Sequence, residues 1–233
     1  MRLLLLSNST NFGAGYLEHA MPQIRELFSG AARIAFVPFA LKDRAGYAAK
    51  ARARFEREAI AVDEVTPDAA GCRTLASAAG VFVGGGNSFR LLDALQRCGA
   101  LDVLGERARE GLPYLGASAG TNVAAPTIRT TNDMPIVQPF SFEALALVPF
   151  QINPHYQDAD PSSRHMGETR EDRLREFHEE NATPVVAIRE GAWLEVRDVA
   201  VTLGGGGGRL FRRGRPALEL APGARIDEQL ALT

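Results

Sequence analysis

The first half of the chain alternates short apolar runs with longer charged stretches, and this rhythm constrains the fold more than any other feature. Residues 3–6, 34–37, 81–83 and 114–115 are apolar runs too short for helices and read as buried strands. Residues 16–28, 43–59, 88–97 and 101–110 between them read as helices. In the third of these, Phe89, Leu91, Leu92 and Leu95 recur at helical spacing. Strand–helix alternation predicts an α/β fold: a mostly parallel sheet, right-handed crossovers and helices on both faces. Such sheets bind ligands beyond the carboxyl ends of their strands, so chemistry is sought just after each strand.

The second half reads differently. Residues 127–164 are rich in Pro, Asn and Asp and read as long ordered loops, with a strand-like run at 150–152. A helix is predicted over about 169–180, with Glu171, Arg175 and Glu179 on an exposed face. Additional short strands near the C-terminus are predicted at 185–188, 193–196, 199–203 and 209–211. The glycine run at 204–208 reads as a flexible hairpin connection, since it lacks the Gly-Lys-Ser/Thr ending of a phosphate-binding loop. No repeat or linker interrupts the 233 residues, which predicts one α/β domain over 1–233.

Charge narrows the partners. With 26 basic and 28 acidic residues, the net charge of -2 carries no nucleic-acid footprint. Twenty-four of those basic residues are arginine; lysine occurs only at Lys42 and Lys50. No apolar run is long enough to span a membrane, and the leucine run 3–6 is too short for a secretory signal. Cys72 and Cys98 are too few for a disulfide framework and read as free buried thiols, which suits a cytoplasmic protein. No His-Glu-x-x-His pattern, cysteine cluster or dinucleotide fingerprint is present, so neither metal nor cofactor is expected. The sequence does not set the oligomeric state.

The strongest local signal is Gly116-Ala117-Ser118-Ala119-Gly120, placed directly after the strand at 114–115 and before small residues able to start a helix. That is the context of a nucleophile elbow, in which flanking small residues let a tight strand-to-helix turn close around an exposed serine. The plain alternative is a glycine-rich turn with no chemistry. A serine hydroxyl needs a base. His155 follows a strand-like run and the loop-forming Asn153-Pro154, where a base belongs; His165 competes, while His19 and His178 fall on helices and read as solvated. The carboxylate orienting the imidazole is Glu190, ending a predicted strand, or Asp133, in the long middle loop. The strand is the more rigid platform, which favours Glu190. A second glycine-rich strand end, Val83-Gly84-Gly85-Gly86-Asn87-Ser88, offers backbone N–H groups. Gly85 or Gly86, with Ala119, are the candidate oxyanion donors, and Asn87 beside them is a candidate substrate contact.

These residues resemble a known family. The elbow, the runs 126–137 and 151–155, the run Gly167-Glu168-Thr169-Arg170-Glu171, the opening 3–10 and the strand end 83–87 look like peptidase E, the alpha-aspartyl dipeptidases. The resemblance spans roughly 3–205, departs nowhere at the site motifs, and fades after about 210. It implies a fold related to class I glutamine amidotransferases and hydrolysis of dipeptides beginning with aspartate. It implies Ser118 as nucleophile, His155 as base, Glu190 or Asp133 as third member, and Arg170 as partner of the substrate's aspartate side chain. A guanidinium suits that role because it binds a carboxylate through two parallel bonds. Arg129 is the second candidate, and the plain alternative for both is structural pairing.

The expectation is therefore a serine dipeptidase acting on Asp-Xaa peptides, with small peptides as its partners. Two alternatives accompany it. One is a cyanophycinase-like hydrolase of beta-aspartyl-arginine. The other is a non-catalytic binder of anionic ligands.

Overall fold

The four leucines at the start of the chain divide between two cores. In a computed structural model, which describes residues 1–162, 164 and 166–230, they form strand β1 (Arg2–Leu6). Leu3 and Leu5 face one layer; Leu4 and Leu6 face the other, as a period of two requires. A strand buried on both faces reads as a continuous apolar run, and each such leucine contributes about 1.5–3 kcal/mol.

Four more strands lie parallel to β1: β2 (Arg33–Val37), β3 (Ala61–Glu64), β4 (Val81–Val83) and β5 (Tyr114–Ala117). Two antiparallel strands, β8 (Trp193–Arg197) and β9 (Ala200–Gly204), complete a sheet of order β3-β2-β4-β5-β1-β8-β9. Helices α1 (Met21–Leu27) and α2 (Arg44–Phe55) cover one face, packing Ile24, Ala51 and Phe55 on Leu4, Phe36 and Phe82. Helices α3 (Ala69–Ser77), α4 (Ser88–Arg97) and α5 (Ala100–Arg109) cover the other, packing Leu75, Leu91 and Leu104 on Leu3, Val37 and Val83. The expected mostly parallel α/β sheet with helices on both faces is what forms.

A second sheet, of order β11-β10-β7-β6, joins β6 (Gln151–Tyr156), β7 (Val185–Arg189), β10 (Gly208–Phe211) and β11 (Leu218–Leu220). Ile152, Ile188 and Leu210 turn into the larger core; Tyr156, Val185 and Phe211 pack against Leu174 of α7 (Arg170–Glu180). The chain closes with α8 (Ile226–Leu230). Among the described residues no helix is long and apolar enough to cross a membrane.

Four expectations are corrected. The glycine run is no hairpin: β9 belongs to the main sheet and β10 to the second, so residues 204–208 step between them. His178 is buried rather than solvated, its Nδ1 3.1 Å from the Asn181 carbonyl and its ring edge-on to Phe177. Glu171 is half-buried, because its carboxylate turns inward to Arg209 as well as to Arg175. Cys72 and Cys98 are free but only half-buried, and the Cys72 thiol donates to the Cys98 carbonyl.

Candidate active site

The carboxyl ends of three adjacent strands, β4, β5 and β1, build the site. Chain leaving β5 must turn into the one-turn helix α6 (Ala119–Asn122) at once. Ser118 makes that turn with φ 54° and ψ −110°, a strained conformation for a non-glycine residue and one that costs of order 1–3 kcal/mol. The glycines on either side are obligatory. A Cβ at Gly116 would stand 2.5 Å from the Gly120 carbonyl oxygen, and one at Gly120 only 2.1 Å from that of Val83. Two bonds to the Leu6 carbonyl fix the turn: Ser118 N–H donates at 3.0 Å and the Thr121 hydroxyl at 2.6 Å.

His155 reaches Ser118 from the second sheet. The β6–β7 register shifts between Asn153 and Tyr156, and His155 takes a positive φ of 55° within that irregularity. Bulges of this kind re-aim a side chain. Its Nε2 lies 2.9 Å from Ser118 Oγ, and its Nδ1 3.1 Å from Glu190 Oε1. With Glu190 ionised, Nδ1 carries the proton, and Nε2 is left to accept from the serine hydroxyl. Glu190 itself follows β7 in a turn completed by Gly191 at φ 76°.

The two strand-end glycines differ. Gly85 N–H donates to the buried Tyr47 hydroxyl at 2.8 Å, so in this arrangement it is not free for an oxyanion. Neither Gly86 nor Ala119 N–H has a hydrogen-bond partner among the described residues. Gly85 instead provides closeness: a Cβ there would lie 3.0 Å from Ser118 Cβ.

Of the remaining predicted residues, several are occupied elsewhere. Asp133 Oδ2 accepts from Ser88 N–H at 2.7 Å and from the Thr131 hydroxyl at 3.1 Å, fastening the long loop to the start of α4 rather than meeting His155. Asn87 is not a free contact either. Its amide oxygen caps α4 through Arg90 N–H, and its NH₂ donates to the Met134 carbonyl. Arg129 is exposed, with its guanidinium over the Phe142 ring at 4.9 Å, and is not brought to Ser118. Arg170, at the first position of α7, lines a separate cavity of about 460 Å³ whose wall includes residues 157–160, just beyond His155. Burial, and then the like charge of Arg173, lower its pKa from the ordinary arginine value. His165 lies outside the described residues. Among the described residues no group of three or more His, Cys, Asp or Glu side chains is placed to hold a metal ion.

Comparison with known proteins identifies the family. Residues 3–204 match peptidase family S51. The chain belongs to that family. A Streptomyces coelicolor protein named peptidase E is 56% identical over 99% of this chain and 95% of its own length. A Drosophila melanogaster protein named "Probable alpha-aspartyl dipeptidase" is 46% identical over 94% of this chain and 93% of its own. The crystal structure of a peptidase from an acI-B1 Actinobacterium shares the fold at TM-score 0.71 and 17% identity, covering 97% of this chain and 96% of that one.

In this S51 chain the supports of the histidine and the glutamate escaped sequence reasoning. Ser7 Oγ accepts from His155 N–H at 2.8 Å and donates to the Ile188 carbonyl at 3.0 Å, bridging β6 and β7. Asn8 accepts from Gly191 N–H at 2.8 Å. The available signal was their place: both directly follow β1, a strand end by the same criterion that picked out Gly85 and Ser118. The glycine run has a part too. A Cβ at Gly205 would meet the Gly191 carbonyl oxygen at 2.0 Å, and one at Gly206 that of Glu190 at 2.6 Å. Backbone packs directly under the glutamate turn, which is why side chains are excluded there.

Proposed function

We propose that this S51 chain is a serine dipeptidase that removes an N-terminal aspartate from Asp-Xaa dipeptides. The observation that carries the reading is the aligned series Ser118 Oγ, His155 and Glu190, at 2.9 and 3.1 Å. In the proposed reaction Ser118 attacks the peptide carbonyl while His155 Nε2 takes its proton. The tetrahedral oxyanion forms against the free N–H groups of Gly86 and Ala119. His155 then protonates the leaving amine, which departs with the second residue, and water hydrolyses the acyl-enzyme by the same steps. Glu190 holds the imidazole tautomer and stabilises the imidazolium.

The names of the relatives support aspartate as first residue. Arg170 is the proposed partner of that side chain: no carboxylate pairs with its guanidinium among the described residues, and the chain runs from His155 directly into its cavity. The chain works as one domain, in the cytoplasm, on small peptides. The test is a hydrolysis panel of Asp-Leu, Asn-Leu, Glu-Leu and Ala-Leu with the purified protein. Preferential turnover of Asp-Leu supports the reading; equal rates on Ala-Leu reject it.

A further inference from the structure

The proposed mechanism leaves unused one basic group in the cavity that holds Ser118. That cavity, of about 470 Å³, is lined by Ser118, His155, Glu190, Tyr47 and Lys50 among others. Apart from the histidine, Lys50 is the one basic side chain lining it among the described residues. We propose that Lys50 is a substrate-binding residue whose ammonium takes a carboxylate of the dipeptide, a role that rests on the dipeptidase reading.

Placement is the first argument. Lys50 stands three residues after Tyr47 on α2, so both side chains leave the same helix face. Tyr47 reaches the Gly85 N–H at 2.8 Å, and Gly85 lies against Ser118. The lysine is thus one helical turn beyond a side chain already anchored beside the nucleophile. Its position is also held: Nζ sits 4.3 Å from the centroid of the Tyr16 ring, on a wall of the same cavity. An ammonium on an aromatic face is attracted there by the ring quadrupole and keeps its donors for another group.

Charge is the second argument. No carboxylate pairs with Lys50 among the described residues, whereas Arg25 and Arg54 nearby both pair with Glu58. The two acids lining the cavity are engaged elsewhere: Glu190 on His155, and Asp43 on the Gly46 N–H at the start of α2. An Asp-Xaa dipeptide carries two carboxylates, and Arg170, in its separate cavity, accounts for one at most. A compact ammonium with three donors can take either without the planar alignment a guanidinium demands.

The side-chain and terminal carboxylates share this chemistry, and three substrates separate them. Asp-Leu carries both, Asn-Leu lacks the first and Asp-Leu-amide lacks the second. Lys50→Met keeps an unbranched stem over Tyr16 and, at an exposed position, leaves the fold intact. The expected result is a roughly 10- to 100-fold loss of kcat/KM on Asp-Leu, carried mainly by KM, with partial recovery in Lys50→Arg. The loss shrinks to about threefold or less, below the roughly 10-fold minimum expected of a charged hydrogen bond, on whichever substrate lacks the carboxylate that Lys50 binds. An equal loss on all three substrates, or no more than about a threefold loss on Asp-Leu, overturns the proposal. Calorimetric binding of Asp-Leu to Ser118→Ala and to Ser118→Ala/Lys50→Met separates this from the dipeptidase reading. Binding lost with Lys50, in a protein whose wild type does not cleave Asp-Leu, rejects the reading and keeps Lys50. Normal cleavage with unchanged binding rejects Lys50 alone. No binding to either variant rejects both.

Discussion

Replacing Glu190 by glutamine separates the two carboxylates that the sequence offered for one role. Glu190 Oε1 lies 3.1 Å from His155 Nδ1, with the glutamate side chain 55% and the histidine 37% exposed. Losing a buried triad carboxylate costs about 10⁴ in kcat, because the imidazole then settles in the wrong tautomer. Here water reaches the pair and can replace part of the lost bond. The expected loss is therefore smaller, about 10²- to 10³-fold in kcat, or roughly 3–4 kcal/mol at 1.36 kcal/mol per decade. Stability should barely move, since exposed pairs contribute about 1 kcal/mol or less. Asp133→Asn should show the reverse pattern. Its carboxylate holds Ser88 N–H at the start of α4, so the cost falls on stability, about 0.5–1 kcal/mol, with kcat within about threefold. The assay measures kcat, KM and thermal unfolding of both variants on Asp-Leu. A collapse of kcat in Asp133→Asn, with Glu190→Gln near wild type, would refute the assignment.

Three further outcomes follow from the same geometry. Gly120→Ala pushes a Cβ to 2.1 Å from the Val83 carbonyl oxygen; a cost of about 3 kcal/mol should lower Tm by roughly 6–12 °C, and an unchanged Tm would mean the elbow is loose. Arg170→Met should reduce kcat/KM on Asp-Leu at least about tenfold more than on Ala-Leu, and equal losses would remove Arg170 from specificity. Asp158 is held below the usual carboxylate range by Arg189, so its contribution is present above about pH 4 and disappears as the pH falls through its lowered value. Asp158→Asn should thus be less stable in urea at pH 7, by about 1 kcal/mol or less given its exposure, with the gap narrowing as the pH falls below about 4; a gap that widens in acid reverses the sign.

What could be read from the sequence was what depends on periodicity and on local turns. The leucines of β1, the amphipathic pattern of α4 and the Gly-x-Ser-x-Gly turn each carry their own signal, and the parallel sheet follows from their alternation. Strand β3 did not: Ala61-Val62-Asp63-Glu64 lies at the sheet edge with Val62 as its one buried residue, so its pattern is as polar as a loop. Helix α3 was missed although its Asp68 cap, bonded to Ala70 and Gly71 N–H, is a readable start signal. At the site, spacing found Ser118 because it sits where β5 ends; His155 was expected in a loop after a strand but lies inside β6, where the irregularity between Asn153 and Tyr156 turns it to Ser118. The Asn87 cap on α4 is local, three residues from Arg90, but spacing could not show that the Asn87 NH₂ is taken by Met134 or that Asp133 is consumed by α4, since both depend on a loop more than 40 residues away folding back. Nor could it distinguish a flexible glycine run from one forced by the Glu190 turn, because close backbone approach leaves no mark beyond the glycines themselves.

The whole proposed reaction depends on Ser118 as its nucleophile. Its most direct test compares Asp-Leu hydrolysis by wild-type protein and by Ser118→Ala, after circular dichroism establishes that the variant is folded. The expected result is that kcat falls by about 10⁶, to the limit of detection, while Asp-Leu still binds. A folded Ser118→Ala protein that keeps about a tenth of wild-type kcat, far above that predicted loss, would contradict it.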